Sequence, residues 1–89
     1  MDKRIGIVGI VIEDLECAER VNAILHEYAN LVVGRMGIPY RERGVSVITL
    51  IVDGSNDAIS ALTGKLGRIH GATVKSMITK TLSEPKLQK

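Results

Sequence analysis

The chain has 89 residues, enough to bury one hydrophobic core and too few for two. Apolar residues make up 45% and charged residues 25%, which excludes a disordered chain. A net charge of +2 gives no electrostatic argument for nucleic acid, and with no Phe, no Trp and only two Tyr, bases would find few rings on which to stack.

Lys3 and Arg4 ahead of an apolar stretch imitate the start of a signal peptide. Glu13, Asp14 and Glu16 then follow at once, with no small-residue cleavage site, so residues 5–12 read as a buried strand. That stretch is also far too short to span a bilayer, so no membrane partner is expected. The single cysteine, Cys17, has no internal partner for a disulfide, which fits a reducing, cytoplasmic setting.

Asp14 offers an N-cap and Glu16 a first-turn acid. Leu15, Ala18, Val21, Leu25 and Tyr28 then recur at three- and four-residue steps, predicting an amphipathic helix over 14–29. Residues 31–38 return to short aliphatic character, and Pro39 is expected to stop that strand. The turn Arg41-Glu-Arg-Gly44 leads into a third strand, 45–52. After Asp53 and Gly54, Ser55 or Asn56 caps a second helix marked by Ala58, Ile59, Leu62, Leu66 and Ile69 and closed by His70-Gly71. Residues 72–79 alternate as a fourth strand with one polar face.

The order is βαββαβ. Right-handed crossovers place both helices on one face of a four-stranded antiparallel sheet, the α+β, ferredoxin-like sandwich with spatial order 4-1-3-2. Residues 1–80 are expected to form one domain, and 81–89, polar and containing Pro85, a solvated tail.

Helices cover only one face of such a sheet, so the other should turn polar in a monomer. The first and third strands instead carry aliphatic side chains at both parities. An aliphatic open face predicts a homo-oligomer, a dimer or a tetramer, that buries the face or its edge, with a loop or the tail folding over the face as the alternative. Glycines at 6, 9, 34 and 37 suggest close approach by another backbone or a ligand. Ser60, Gly64 and Gly67 form a small-residue stripe on the second helix, expected to pack closely against another helix, with a ligand surface as the alternative.

Several chemistries fail residue by residue. Arg43-Gly-Val-Ser-Val-Ile-Thr-Leu50 starts like an RNA-recognition motif, but its three ring positions are aliphatic, which argues against direct nucleic-acid binding. Cys17, His26 and His70 are the only soft or imidazole ligands, and their spacing gives no metal site within one chain. Gly64-Lys65 lacks the first glycine and the Ser or Thr of a phosphate loop. No nucleophile triad or carboxylate pair stands out. No enzyme, metal or cofactor is expected.

The blocks Val11-Ile-Glu-Asp14, Arg35-Met-Gly-Ile-Pro-Tyr40, Asp57-Ala-Ile-Ser-Ala-Leu-Thr-Gly-Lys-Leu-Gly67 and Ile69-His-Gly-Ala-Thr-Val-Lys75 resemble one small family, the iron-only hydrogenase system regulators, over residues 3–79. The resemblance implies an ACT-like domain similar to the C-terminal ligand-sensing domain of nickel-responsive repressors, and a part in regulation. Met1 stands four residues before the first strand, which argues against an attached DNA-binding domain and a direct transcriptional repressor. The His and Cys set of the nickel repressors is not matched.

ACT-like domains commonly bind amino acids or other small effectors at subunit interfaces, near the first strand–helix loop and the second strand. Carried onto this chain, the resemblance points to Glu13, Asp14, Arg35, Met36, Gly37 and Tyr40. Asn56 and Asp57 are expected in the other loop at the same end of the sheet. For Asp14, Asn56 and Asp57 the competing role is helix capping. Arg35, in a strand between Val33 and Met36, asks for a partner: a neighbouring subunit's carboxylate or an anionic ligand, with plain solvent exposure on an edge strand as the alternative. The expected function is a small-effector-sensing regulatory module. A structural module that docks a partner protein without any ligand is the alternative.

Overall fold

The computed structural model describes residues 3–80. The tail expected over 81–89 lies outside the described residues. Four strands, β1 (Arg4–Ile12), β2 (Val32–Tyr40), β3 (Val45–Gly54) and β4 (Ala72–Ile78), and two helices, α1 (Ala18–Glu27) and α2 (Asn56–Gly67), follow in the order βαββαβ. The sheet is antiparallel with order β2-β3-β1-β4, so β1 and β3 are central, as the ferredoxin-like reading requires.

Strand parity sets the two faces. Val8, Ile10 and Ile12 of β1 and Ile48, Leu50 and Val52 of β3 point one way and are buried. Against them α1 lays Val21 and Leu25, and α2 lays Ile59, Leu62 and Leu66, spaced by three and four so that they share one helical stripe. Each fully buried side chain of this size contributes about 1.5–3 kcal/mol relative to exposure. Gly6 lies on the same face beneath Ile59. A Cβ there would stand 3.0 Å from Val52 Cγ2 and 3.3 Å from the Met77 carbonyl oxygen. The close approach suggested by that glycine is supplied by the chain's own packing.

Local chemistry trims the element ends. Asp14 caps, but the first turn it caps is a 3-10 turn, Leu15–Cys17: its Oδ1 accepts from the Glu16 N–H at 3.0 Å, and α1 proper begins at Ala18. A second 3-10 turn, Ala29–Leu31, ends the helical segment before β2. Pro39 does not stop β2, which pairs through Pro39↔Ser46 to Tyr40↔Val45. An edge strand tolerates a residue that cannot donate to a ladder. Ser55 supplies the α2 cap, its Oγ accepting from the Ala58 N–H at 3.0 Å.

The carbonyl of Gly71 accepts from both the Glu13 and Asp14 N–H groups, at 2.7 and 3.0 Å, and so fixes the turn after β1. Gly71 itself has φ +96°, and a Cβ would come within 2.7 Å of Asp14 Cβ, so only glycine fits. Where α2 passes the end of α1, Lys65 Nζ donates to Glu27 Oε2 at 2.8 Å and lies 5.2 Å from the centre of the Tyr28 ring. The Glu27 hydrogen bond, and after it Tyr28, holds the Lys65 ammonium above its ordinary pKa.

The stripe Ser60, Gly64, Gly67 does not pack against a helix of the same chain. All three residues are exposed, and nothing lies within 4 Å of a Cβ built at either glycine.

Candidate functional site

The face of the sheet that the helices leave open is apolar. Ile7, Met36, Ile38, Tyr40, Ile51 and Met77 are each between 43 and 59% exposed, and all share the parity opposite to the core. Ile7 and Ile51 pair directly across β1 and β3, at the middle of that face. Gly9 and Thr49, the next pair along, carry little bulk, and a hollow of about 200 Å³ opens between Gly34, Met36, Thr49 and Ile51. Solitary exposed apolar side chains are ordinary on soluble proteins; a contiguous set spanning all four strands is not.

The opposite face holds a groove at its β2 edge. A register shift between Val32 and Gly34 inserts one extra residue into β2. That insertion turns Val33 outward and brings Arg35 to the helix side of the sheet, opposite the buried Leu50. There Arg35 Nη2 donates to Asn22 Oδ1 of α1 at 3.3 Å, while Asn22 Nδ2 donates to the Ala18 carbonyl at 3.0 Å. The two bonds orient the Asn22 amide with its oxygen toward the guanidinium. His26 lies one helical turn beyond Asn22 on the same side of α1. Together they rim a groove of about 380 Å³ floored by Leu25, Val32 and Leu50.

The residues expected to form an effector site are spread over several places. Glu13 and Asp14 end β1 beside β4, where Glu13 Oε2 accepts from Thr73 Oγ1 at 2.9 Å and Asp14 caps. Met36 and Tyr40 lie on the open face, whereas Arg35 and Gly37 lie on the helix face. Asn56 and Asp57 are not at the same end as Glu13. The pairing Arg4↔Gly54 puts them at the end where β1 begins, because β3 runs antiparallel to β1. Of the eight residues, Arg35 reaches the groove and Met36 the hollow on the open face, and the neighbours of Arg35 in the groove, Asn22 and His26, were not among the expected set. The signal available was their four-residue spacing on the strand-facing side of α1.

Among the described residues no group of three His, Cys, Asp or Glu could hold a metal ion. None of the described helices is long and apolar enough to cross a membrane.

Fold and faces define a ferredoxin-like domain of the ACT-like kind. The chain matches the TM1266-like family, described as "Iron-only hydrogenase system regulator, putative", over residues 4–76, and it belongs to that family. Among solved structures it is similar to the uncharacterized protein TM1266 of Thermotoga maritima, at 44% identity and a TM-score of 0.82, covering 88% of this chain and 99% of that one. More distant likenesses show the fold alone. The ACT domain from the GTP pyrophosphokinase of Chlorobium tepidum is 14% identical with a TM-score of 0.67, each chain covered in full at 100%. A protein of Thermus thermophilus described as "a putative PII-like signaling protein" is 18% identical with a TM-score of 0.56, covering 90% of this chain and 94% of that one. No curated protein matches the chain at a significant level. Family membership makes this a regulatory, non-catalytic protein.

Proposed function

We propose that residues 1–80 work as one ACT-like regulatory domain whose copies meet across their open sheet faces and which senses a small effector. The observation that carries the reading is the aliphatic set Ile7, Met36, Ile38, Ile51 and Met77, left exposed on one face of the sheet. Four strands about 4.8 Å apart and about 24 Å long give that face a plan area on the order of 450 Å². Two such faces meeting would cover about 900 Å² in plan, near the roughly 1,000 Å² in total that a specific interface is expected to clear. An isologous contact uses the same patch on both copies, so each copy's exposed side chains would find the hollow beside Met36 and Ile51 on the other.

The regulatory half of the reading is supported by the family's description and by the ACT-domain and PII-like signalling descriptions of its fold relatives. Regulation near an iron-only hydrogenase system is what the family description offers for its wider setting.

Native mass spectrometry of protein purified without added ligand tests both halves at once. The expected result is an oligomer, with a reproducible extra mass where effector is retained. A bare monomer would overturn the assembly. A bare oligomer that stays unchanged on incubation with cell metabolites would turn the reading to a ligand-free interaction module.

A further inference from the structure

We infer that the groove between α1 and β2 is a binding site for a small carboxylate with an aliphatic body, gripped by Arg35 and seated on Leu25, Val32 and Leu50. The inference rests on the effector-sensing half of the function proposed above, and gives that effector a place and a chemical class.

The argument starts from what Arg35 lacks. Among the described residues no carboxylate lies within ion-pair distance of it, and its one hydrogen bond uses a single nitrogen, Nη2, toward Asn22. A guanidinium carries five N–H donors in a planar fork, so most of its donors remain available to a ligand in the groove. Asn22 is itself tied to the Ala18 carbonyl, so the guanidinium is steered before any ligand arrives. His26 adds a second polar group on the rim, and neither of its ring nitrogens is engaged by another described residue.

The floor decides what the anion is attached to. Leu25 and Leu50 are buried and Val32 is half-buried, all aliphatic, so the groove offers apolar contact directly beside one cation. A fork matched to one carboxylate, next to such a floor, suits a monocarboxylate with a branched or straight hydrocarbon chain. A polyphosphate would need several cations, and the groove supplies one guanidinium.

The bulge in β2 makes this site. Without the extra residue the parity of β2 after it would reverse, Arg35 would stand on the open face, and the groove would lose its guanidinium.

The test is a titration of ¹⁵N-labelled full-length protein with 3-methylbutanoate, followed by amide chemical shifts. 3-Methylbutan-1-ol and 3-methylbutylamine serve as controls of the same shape without the negative charge. A probe of about seven heavy atoms is expected to saturate in the millimolar range. The expected result is saturable shifts confined to residues 22–29, 32–35 and the neighbourhood of Leu50 for the carboxylate, and none for the alcohol or the amine. Arg35→Gln should weaken binding by about tenfold or more. Asn22→Leu, a change on the helix that leaves the strand untouched, should weaken it by a smaller factor by releasing the guanidinium. Shifts centred on the open face or on the turn at Glu13 and Asp14, equal shifts from the alcohol, or no saturable shift would each overturn the inference.

Repeating the titration with Ile51→Lys, which is aimed at the open face, separates the two claims. Binding by the monomeric variant is expected if the groove is complete within one chain, whereas a wild type that binds carboxylate as a monomer overturns the assembly and leaves the groove standing. A stable oligomer without carboxylate binding overturns the groove and leaves the assembly.

Discussion

Two residues show how much of this fold rests on single backbone positions. Gly71 sits at φ +96° with Asp14 Cβ 2.7 Å from where its own Cβ would be, while its carbonyl holds the Glu13 and Asp14 N–H groups. Gly71→Ala is therefore expected to cost about 1–3 kcal/mol, read as a lower urea midpoint with an unchanged slope. An unchanged midpoint would show that the turn relaxes freely. The capping role of Asp14 was legible in the sequence, and the second cap was narrowed to Ser55 or Asn56, of which Ser55 caps, because a short polar side chain before an apolar periodic run favours that place. For Arg35 the sequence left a partner and plain solvent exposure both open, and the side chain is exposed with one hydrogen bond to Asn22. Which face it would occupy was not legible, since one inserted residue at Val33 reverses the parity of everything after it.

Of the two helices, α2 contributes more to the core, through Ile59, Leu62 and Leu66, each fully buried. Leu62→Ala should destabilise the domain by about 2–5 kcal/mol, and chemical denaturation checks it. The link between α2 and α1 is of another kind: Lys65, Glu27 and Tyr28 meet at the surface, where solvent screens the charges. The hydrogen bond from Lys65 to Glu27 raises the lysine's pKa in the folded state. A raised lysine contributes stability that is complete below its ordinary value of about 10.5 and is lost as pH climbs through the folded value. Thermal unfolding of wild type and Lys65→Met should accordingly converge as pH rises past about 10.5, and should differ less in high salt at neutral pH. A difference that persists at the highest pH would assign the contact to packing of the lysine stem over Tyr28.

Element order and type were readable from periodicity because the apolar spacing changes cleanly from two to three-and-four at each punctuation. The ends were harder. Pro39 continues β2 because that strand has a free edge, and whether a strand is an edge is a property of topology. The glycines of α2 promised a helix partner and found none within the chain, which leaves Gly64 and Gly67 without a structural account.

At the scale of the molecule, the sheet divides the protein into two surfaces with different chemistry. The helix side carries the groove at Arg35, and the open side presents apolar side chains on all four strands. That second surface was visible in the sequence, because β1 and β3 carry aliphatic residues at both parities and two helices cover only one face. The scattered effector residues were not, because Glu13, Met36 and Asp57 come together only if chain position is mistaken for position on the sheet. The antiparallel register of β3 sends residues 54–57 to the far end.

Assembly across the open face is the central claim. Sedimentation velocity of wild type beside Ile51→Lys, at tens of micromolar protein, tests it most directly. Ile51 is 46% exposed and sits mid-face on a central strand, so a lysine there leaves the core untouched while placing a charge where two faces would meet. The account predicts a wild-type oligomer and a folded, monomeric variant. A wild-type monomer, or an oligomer that Ile51→Lys leaves intact, would contradict it.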